Sequence, residues 1–245
     1  ALDFGGLSED RKEVIAGGLA VLSAVFEALN IKKMSVSDGA LREGLLYDLI
    51  GRAQEKNVRD FTIESIADRY SVDKNQSQRV EDVAIDLFKQ AKKFWPLKNK
   101  PDLKLLRWAA KIHEIGLSIA HTQYHKHGAY LLAYSDMPGF STQEQLHLSL
   151  LVRSHRRKFP VSEFDAIPEE DRDKITMLCL LFRIAIVLNR SRPLTSLPVP
   201  ILKIKEEKMV LDFPDDWLNE HPLTQVDLET EANYFNRTKY QLNYS

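Results

Sequence analysis

Apolar residues recur at helical spacing through most of the chain and switch to alternation near its end. Ile15, Leu19, Leu22, Phe26 and Leu29 repeat at spacings of four and three, which predicts one helix that Ser8 caps and Asn30 ends. Lys33-Met-Ser-Val-Ser37 reads as a short strand. Asp38 then caps a helix over Gly39–Ile50, with Leu41, Leu45 and Leu49 on one face and Gly51 at its C-terminus. A single strand cannot form a sheet alone. Residues 1–51 therefore read as the trailing edge of a larger α/β domain.

Residues 52–192 carry a helical period throughout. Asp73-x-x-Gln76 resembles a capping box, although the usual form begins with Ser or Thr. The stripe behind it is Val80, Val83, Leu87, Ala91 and Phe94, and Pro96 stops it. Pro101 and Asp102 start a helix expected to run to Gly116. Ser141-x-x-Glu144 is a full capping box, and its helix carries Leu146 and Leu150. Pro168 starts a helix with Ile175, Leu178, Leu181 and Leu188. About six helices with short links make a compact helical domain.

The pattern changes at Arg192–Pro200, where three prolines in nine residues indicate a linker. Ile201–Lys205 and Met209–Phe213 then alternate around Glu206-Glu-Lys208, a hairpin signal. A short helix around Trp217, a strand near Val226, a helix over Glu229–Asn236 and a strand near Tyr240–Asn243 follow. The order β-β-α-β-α-β over residues 198–245 predicts a small α+β domain.

Bulk composition narrows the choices. With 245 residues and 44% hydrophobic content, the chain can bury one large core or a few small ones. A net charge of −1 gives no global field that would favour nucleic acid. The charge is unevenly placed. Lys89–Lys111 holds eight Lys/Arg against Asp102, and Glu206–Glu231 holds nine Asp/Glu against Lys208. That asymmetry suggests a local anion site or, more plainly, solvated helix faces. The single cysteine, Cys179, lies in an apolar run and excludes an internal disulfide framework, which fits a reducing compartment. The longest apolar run, Ile175–Leu188, is broken by Arg183 and is too short to cross a bilayer. No secretory signal pattern is visible at the N-terminus. The expected location is cytoplasmic, with peripheral membrane association left open.

Four of the seven histidines, His113, His121, His125 and His127, fall between Arg107 and Leu132. His113-Glu114 closes an apolar helical pattern, and His125 and His127 open the next helix. A helix junction of this kind can gather imidazoles and a carboxylate into a metal or phosphate site. Lys126, Arg153, His155, Arg156, Arg157 and Lys158 add dense positive charge. If the helix from Ser141 continued through them, Arg153, Arg156 and Arg157 would be neighbours on one face. Arg and Lys recognise phosphate through charge-assisted hydrogen bonds. The plain alternative makes His113 a buried histidine at a helix end, His125 and His127 packing residues, and the cations a solvated face.

Three stretches carry a resemblance. Ser37-Asp-Gly-Ala-Leu-Arg-Glu-Gly-Leu-Leu46 resembles the end of the second actin-like domain of the exopolyphosphatase / guanosine pentaphosphate phosphohydrolase family. Trp108–Phe140, with HEIG at 113–116, HKHGAYLL at 125–132 and SDMPGF at 135–140, resembles its HD-type helical domain. Leu151-Val-Arg-Ser-His-Arg-Arg-Lys158 matches the same domain. The resemblance implies a mainly α chain with a smaller α+β part. In it, residues 1–51 are a remnant of an actin-like α/β domain, 52–192 an HD-like helical domain and 198–245 a small α+β domain. The chain starts without Met and looks like the C-terminal half of the family chain.

The function so implied is removal of the terminal phosphate of inorganic polyphosphate, or of the 5′ γ-phosphate of guanosine pentaphosphate. In the family this chemistry lies between two actin-like domains and uses Gly-rich phosphate loops, acidic residues and Mg²⁺, which bind phosphates and activate water. No Asp-x-Gly-type phosphate loop is visible here, and Gly17-Gly18 sits inside a helical pattern. The chain alone is expected to hold no catalytic residue, cofactor or metal and to be inactive, with Mg²⁺ required by the full-length enzyme. HD-type ligand positions fall on Gln76, His113, Glu114 and Ile186, and two of these four are poor or impossible ligands. The expected role is to bind the polyanion through His125, Lys126, His127, Arg153, His155, Arg156, Arg157 and Lys158, with residues 89–111 extending the track, and to support a homodimer. An independent HD-type metal phosphohydrolase and a purely structural dimerisation module are the alternatives.

Overall fold

A computed structural model describes residues 9–12, 14–34, 58–192 and 198–245. By contacts the chain divides into two compact units, residues 1–38 and 39–245. In the first, the expected single helix is two pieces, α1 (Glu9–Lys12) and α2 (Ile15–Ala28). Asn30 follows α2 at φ 50, a left-handed residue of the kind that closes helices. Residues 35–37 of the expected strand, and the expected helix over 39–50, lie outside the described residues.

In the second unit, the described helices are α3 (Val58–Arg69), α4 (Lys74–Ala91), α5 (Pro101–Ile112), α6 (Tyr124–Tyr134), α7 (Thr142–Ser154) and α8 (Glu169–Leu188). Asp73 does cap α4, accepting from the amides of Asn75 and Gln76. The box is not closed, because the Gln76 side chain turns inward to the Asn189 carbonyl at 2.9 Å. Val80, Leu87 and Ala91 are fully buried, but α4 stops at Ala91, which leaves Phe94 exposed and buries Trp95 in its place. The helix from Pro101 ends at Ile112 rather than at Gly116. The chain then tightens into a 3-10 turn, Ile115–Ser118. At α7 the Ser141–Glu144 box closes in both directions, at 3.2 and 3.0 Å.

The glycines of HEIG and HKHG have a steric reason. A Cβ on Gly116 would lie 2.0 Å from the Tyr124 carbonyl oxygen, and one on Gly128 would lie 3.0 Å from Val152. Backbone therefore packs on backbone where the 3-10 turn meets α6, and α6 in turn packs on α7. This close approach brings Tyr124 into one cleft with His113.

A three-stranded sheet follows: β1 (Ile201–Lys205), β2 (Lys208–Asp212) and β3 (Gln241–Tyr244), with β1–β2 antiparallel and β2–β3 parallel. Leu202, Ile204, Met209, Leu211 and Leu242 alternate inward and join the same buried cluster as the helices. Two helices separate β2 from β3, α9 (Trp217–Glu220) and α10 (Pro222–Phe235). The expected strand near Val226 is corrected: Pro222 occupies the first turn of α10, and Leu228 and Phe235 carry a helical stripe that leaves Val226 on the solvent side. The order of this part is thus β-β-α-α-β.

Candidate phosphate-binding site

Helix α7 ends at Ser154, earlier than a single basic face would need. His155 is its C-cap, and Arg157 adopts φ 64. Arg153, Arg156 and Arg157 are therefore spread over a helix end and a left-handed bend, and they do not share one helix face. The bend is held from below by Arg183, whose side chain is fully buried in α8. Its guanidinium donates to the carbonyls of Ser154 and Arg157 and pairs with the buried Glu231 of α10. Otherwise orphaned carbonyls at the end of α7 are satisfied by this one side chain. The interruption of the Ile175–Leu188 run by Arg183 was its sequence signal. Glu231 gave none.

The bend opens onto a cavity of about 630 Å³, lined by His125, Lys126, Arg153, Arg156, Arg157 and Lys158, together with His121 and Tyr234 of α10. Arg153 is tied to Glu163 at 2.7 Å. Lys126, Arg156, Arg157 and Lys158 have no carboxylate partner among the described residues. At the cavity wall His125 is 2% exposed, and its Nδ1 has no hydrogen-bond partner there. Burial, then the charges of Arg153 and Arg156, push the His125 pKa down to about 3, so the ring is neutral at physiological pH.

Two proposed phosphate ligands sit elsewhere. His155 is 1% exposed and is not among the cavity's lining residues, its ring 5.3 Å from Tyr124, 5.7 Å from His113 and 6.1 Å from His125. Its Nδ1 donates to the Val152 carbonyl at 2.5 Å. His127 is half-buried and lies outside the cavity lining, as do all Lys and Arg of residues 89–111. Of the latter, Arg107 pairs with Glu81 and Lys111 faces a separate cavity with Glu64 and Asp68.

Arg156 and His121 also line a second, smaller cleft of about 250 Å³, which contains Gln76, His113, Glu114 and Ile186. The four positions that the resemblance gave as HD-type thus line one cleft. His113 Nδ1 donates to the Ala110 carbonyl at 2.8 Å, and burial lowers the pKa of the ring. Glu114 accepts from Arg192 at 2.7 Å, and Arg192 also reaches Asp73 at 2.5 Å. Arg79 holds the Gln76 oxygen at 2.8 Å. Ile186 offers no donor atom. The donor set therefore does not fit a divalent ion, which prefers several charged oxygens. Among the described residues no group of three or more His, Cys, Asp or Glu could hold a metal.

The family model for Ppx/GppA phosphatase, domain III, matches residues 58–232. The chain belongs to the Ppx/GppA phosphatase family. A second model, for the Ppx/GppA phosphatase family itself, matches residues 1–53. A guanosine-5'-triphosphate,3'-diphosphate pyrophosphatase of Pseudoalteromonas translucida (strain TAC 125) is 40% identical over 95% of this chain and 46% of its own length. A protein of the same name from Aeromonas hydrophila is 36% identical over 94% of the chain and 47% of its own. The chain spans about half the length of the curated relatives it matches. The family expected from the HEIG, HKHGAYLL and LVRSHRRK stretches is thus the family found. Within it, the domain III match covers every lining residue of the two cavities except Tyr234. Among the described residues no helix is long and apolar enough to cross a membrane.

Proposed function

We propose that this chain holds the phosphate chain of the substrate in a phosphohydrolase that removes a terminal phosphate. The observation that carries this reading is the convergence of Lys126, Arg156, Arg157 and Lys158, none with a carboxylate partner among the described residues, on one cavity beside the unpartnered Nδ1 of His125. Unneutralised cations repel one another, and a polyanion relieves that repulsion while forming charge-assisted hydrogen bonds. A neutral imidazole can add a hydrogen bond without adding charge. The names of the relatives favour guanosine-5'-triphosphate,3'-diphosphate over inorganic polyphosphate as the substrate of the whole protein. Hydrolysis itself is assigned to family parts of the actin-like type and their Mg²⁺, so the chain by itself releases no phosphate. Homodimer formation is a further part of the proposal, and it rests on the family resemblance.

A crystal structure of the chain with inorganic tripolyphosphate tests the placement. Phosphate density against Arg156, Arg157 and Lys158 is the expected result. Ordered tripolyphosphate bound only elsewhere would remove the cavity from the substrate path.

A further inference from the structure

The two cavities are neighbours that share Arg156 and His121. The larger is walled by cations. The smaller adds Leu117, Ile186 and the Tyr124 ring to the polar Gln76, His113 and Glu114 and to Arg190 and Arg192. The Arg156 guanidinium lies 4.6 Å from the centre of that ring. It thus stands at the junction with one face toward an aromatic surface and its charge available to a phosphate. The charges inside the small cleft are largely spent. Arg192 is divided between Asp73 and Glu114, and Arg190 pairs with Asp227. A second stretch of phosphate chain would meet the Glu114 carboxylate and two cations already committed. At about 250 Å³ the cleft is just below the roughly 300 Å³ at which ordinary small-molecule pockets begin.

We infer that the small cleft takes the nucleoside end of a nucleoside 5′-polyphosphate whose phosphates lie in the cationic cavity. Arg156 and Tyr124 stand at the boundary between the two. This assignment rests on the larger cavity being a phosphate site. It gives the cleft a use that needs no metal: the Tyr124 ring, Leu117 and Ile186 for a base, polar neighbours for its edge, and an arginine at the first phosphate.

The test compares GTP with inorganic tripolyphosphate, both in the absence of Mg²⁺, by calorimetric titration of the chain. Tripolyphosphate carries the higher charge, so a purely electrostatic site binds it at least as well. The expected result is GTP binding about tenfold tighter, a difference of about 1.4 kcal/mol. Leu117→Trp, at a half-buried position in the 3-10 turn, fills the cleft. It should abolish the GTP advantage while tripolyphosphate affinity stays at the wild-type value. Equal wild-type affinities for the two ligands overturn the inference and leave the phosphate site standing. Binding of neither ligand overturns both. If Leu117→Trp does not fold, competition on the wild type decides. Guanosine added at millimolar concentration should weaken GTP binding and leave tripolyphosphate binding unchanged, and no effect on either contradicts the assignment.

Discussion

Arg192 donates to Glu114 at 2.7 Å, beside His113 in the smaller cleft. Its other terminal nitrogen reaches Asp73, the N-cap of α4. A guanidinium thus neutralises the buried Glu114 carboxylate. The contact clamps the segment that follows α8 to the start of α4.

Arg192→Ala should therefore lower stability modestly. Glu114 is almost fully buried and would lose its partner, at about 1–3 kcal/mol for an unsatisfied buried group. The half-exposed Arg192 places the effect toward the lower end of that range. Thermal melting measures it. Added Mn²⁺ or Mg²⁺ should not restore the melting temperature, because Ile186 contributes nothing and the Gln76 amide is engaged elsewhere. Metal-dependent stabilisation of the variant would show that a working ion site had been uncovered.

Removing Arg183 should be far more costly. Arg183→Met leaves Glu231 buried without a cation and two carbonyls of the α7 bend without donors. Breaking one side of a buried pair costs about 3–5 kcal/mol. Arg183→Met combined with Glu231→Leu should recover part of that loss, since no buried charge is then stranded. Denaturant unfolding of the single and double variants provides the comparison. A double variant as unstable as Arg183→Met would mean that the carbonyl contacts, rather than the ion pair, carry the cost.

Buried imidazoles set the expected response to acid. Burial depresses the pKa of His113, His125 and His155 in the folded chain, that of His125 to about 3. An unfolded histidine titrates near 6.5. The unfolded chain therefore takes up protons that the folded chain refuses. Stability is fully present above about pH 6.5 and is lost as pH falls below it. Each blocked histidine steepens that loss by up to about 1.4 kcal/mol per pH unit. Melting temperatures at pH 7.5 and 5.5 should differ more for the wild type than for His125→Gln. An equal drop in both proteins would mean that His125 is already accessible to protons.

Much of this fold could be read from the chain because its helices carry their own start and stop signals. Ser141-x-x-Glu144, Pro101 and the stripes through Leu87 and Leu188 are local features, and local features survive folding. Val226 misled because a β-branched residue on the solvent face of α10 reads as a strand when Pro222 and Phe235 are not weighed with it. The histidine cluster and the cations after Ser154 could also be located from sequence. Their division into a cavity wall and a buried layer could not, because the bend at Arg157 is imposed by Arg183, 26 residues further on. Arg192 escaped notice for the same reason: Asp73 lies 119 positions before it.

The central claim is that the cations around His125 hold a chain of phosphates. The most direct measurement is a titration of wild type and the Arg156→Ala/Arg157→Ala variant with long-chain polyphosphate at 50 and 150 mM salt (about a threefold span). Taking about −0.7 in the log–log slope for each phosphate contact, as for single-stranded nucleic acids, four contacts give a wild-type loss of roughly twentyfold across that span. With two contacts removed, the variant should bind more weakly at both concentrations and lose only about fivefold. Both proteins should melt alike, since neither guanidinium makes a buried ion pair. Equal affinities and equal salt slopes for the two proteins would contradict the account and leave these arginines a solvated helix end.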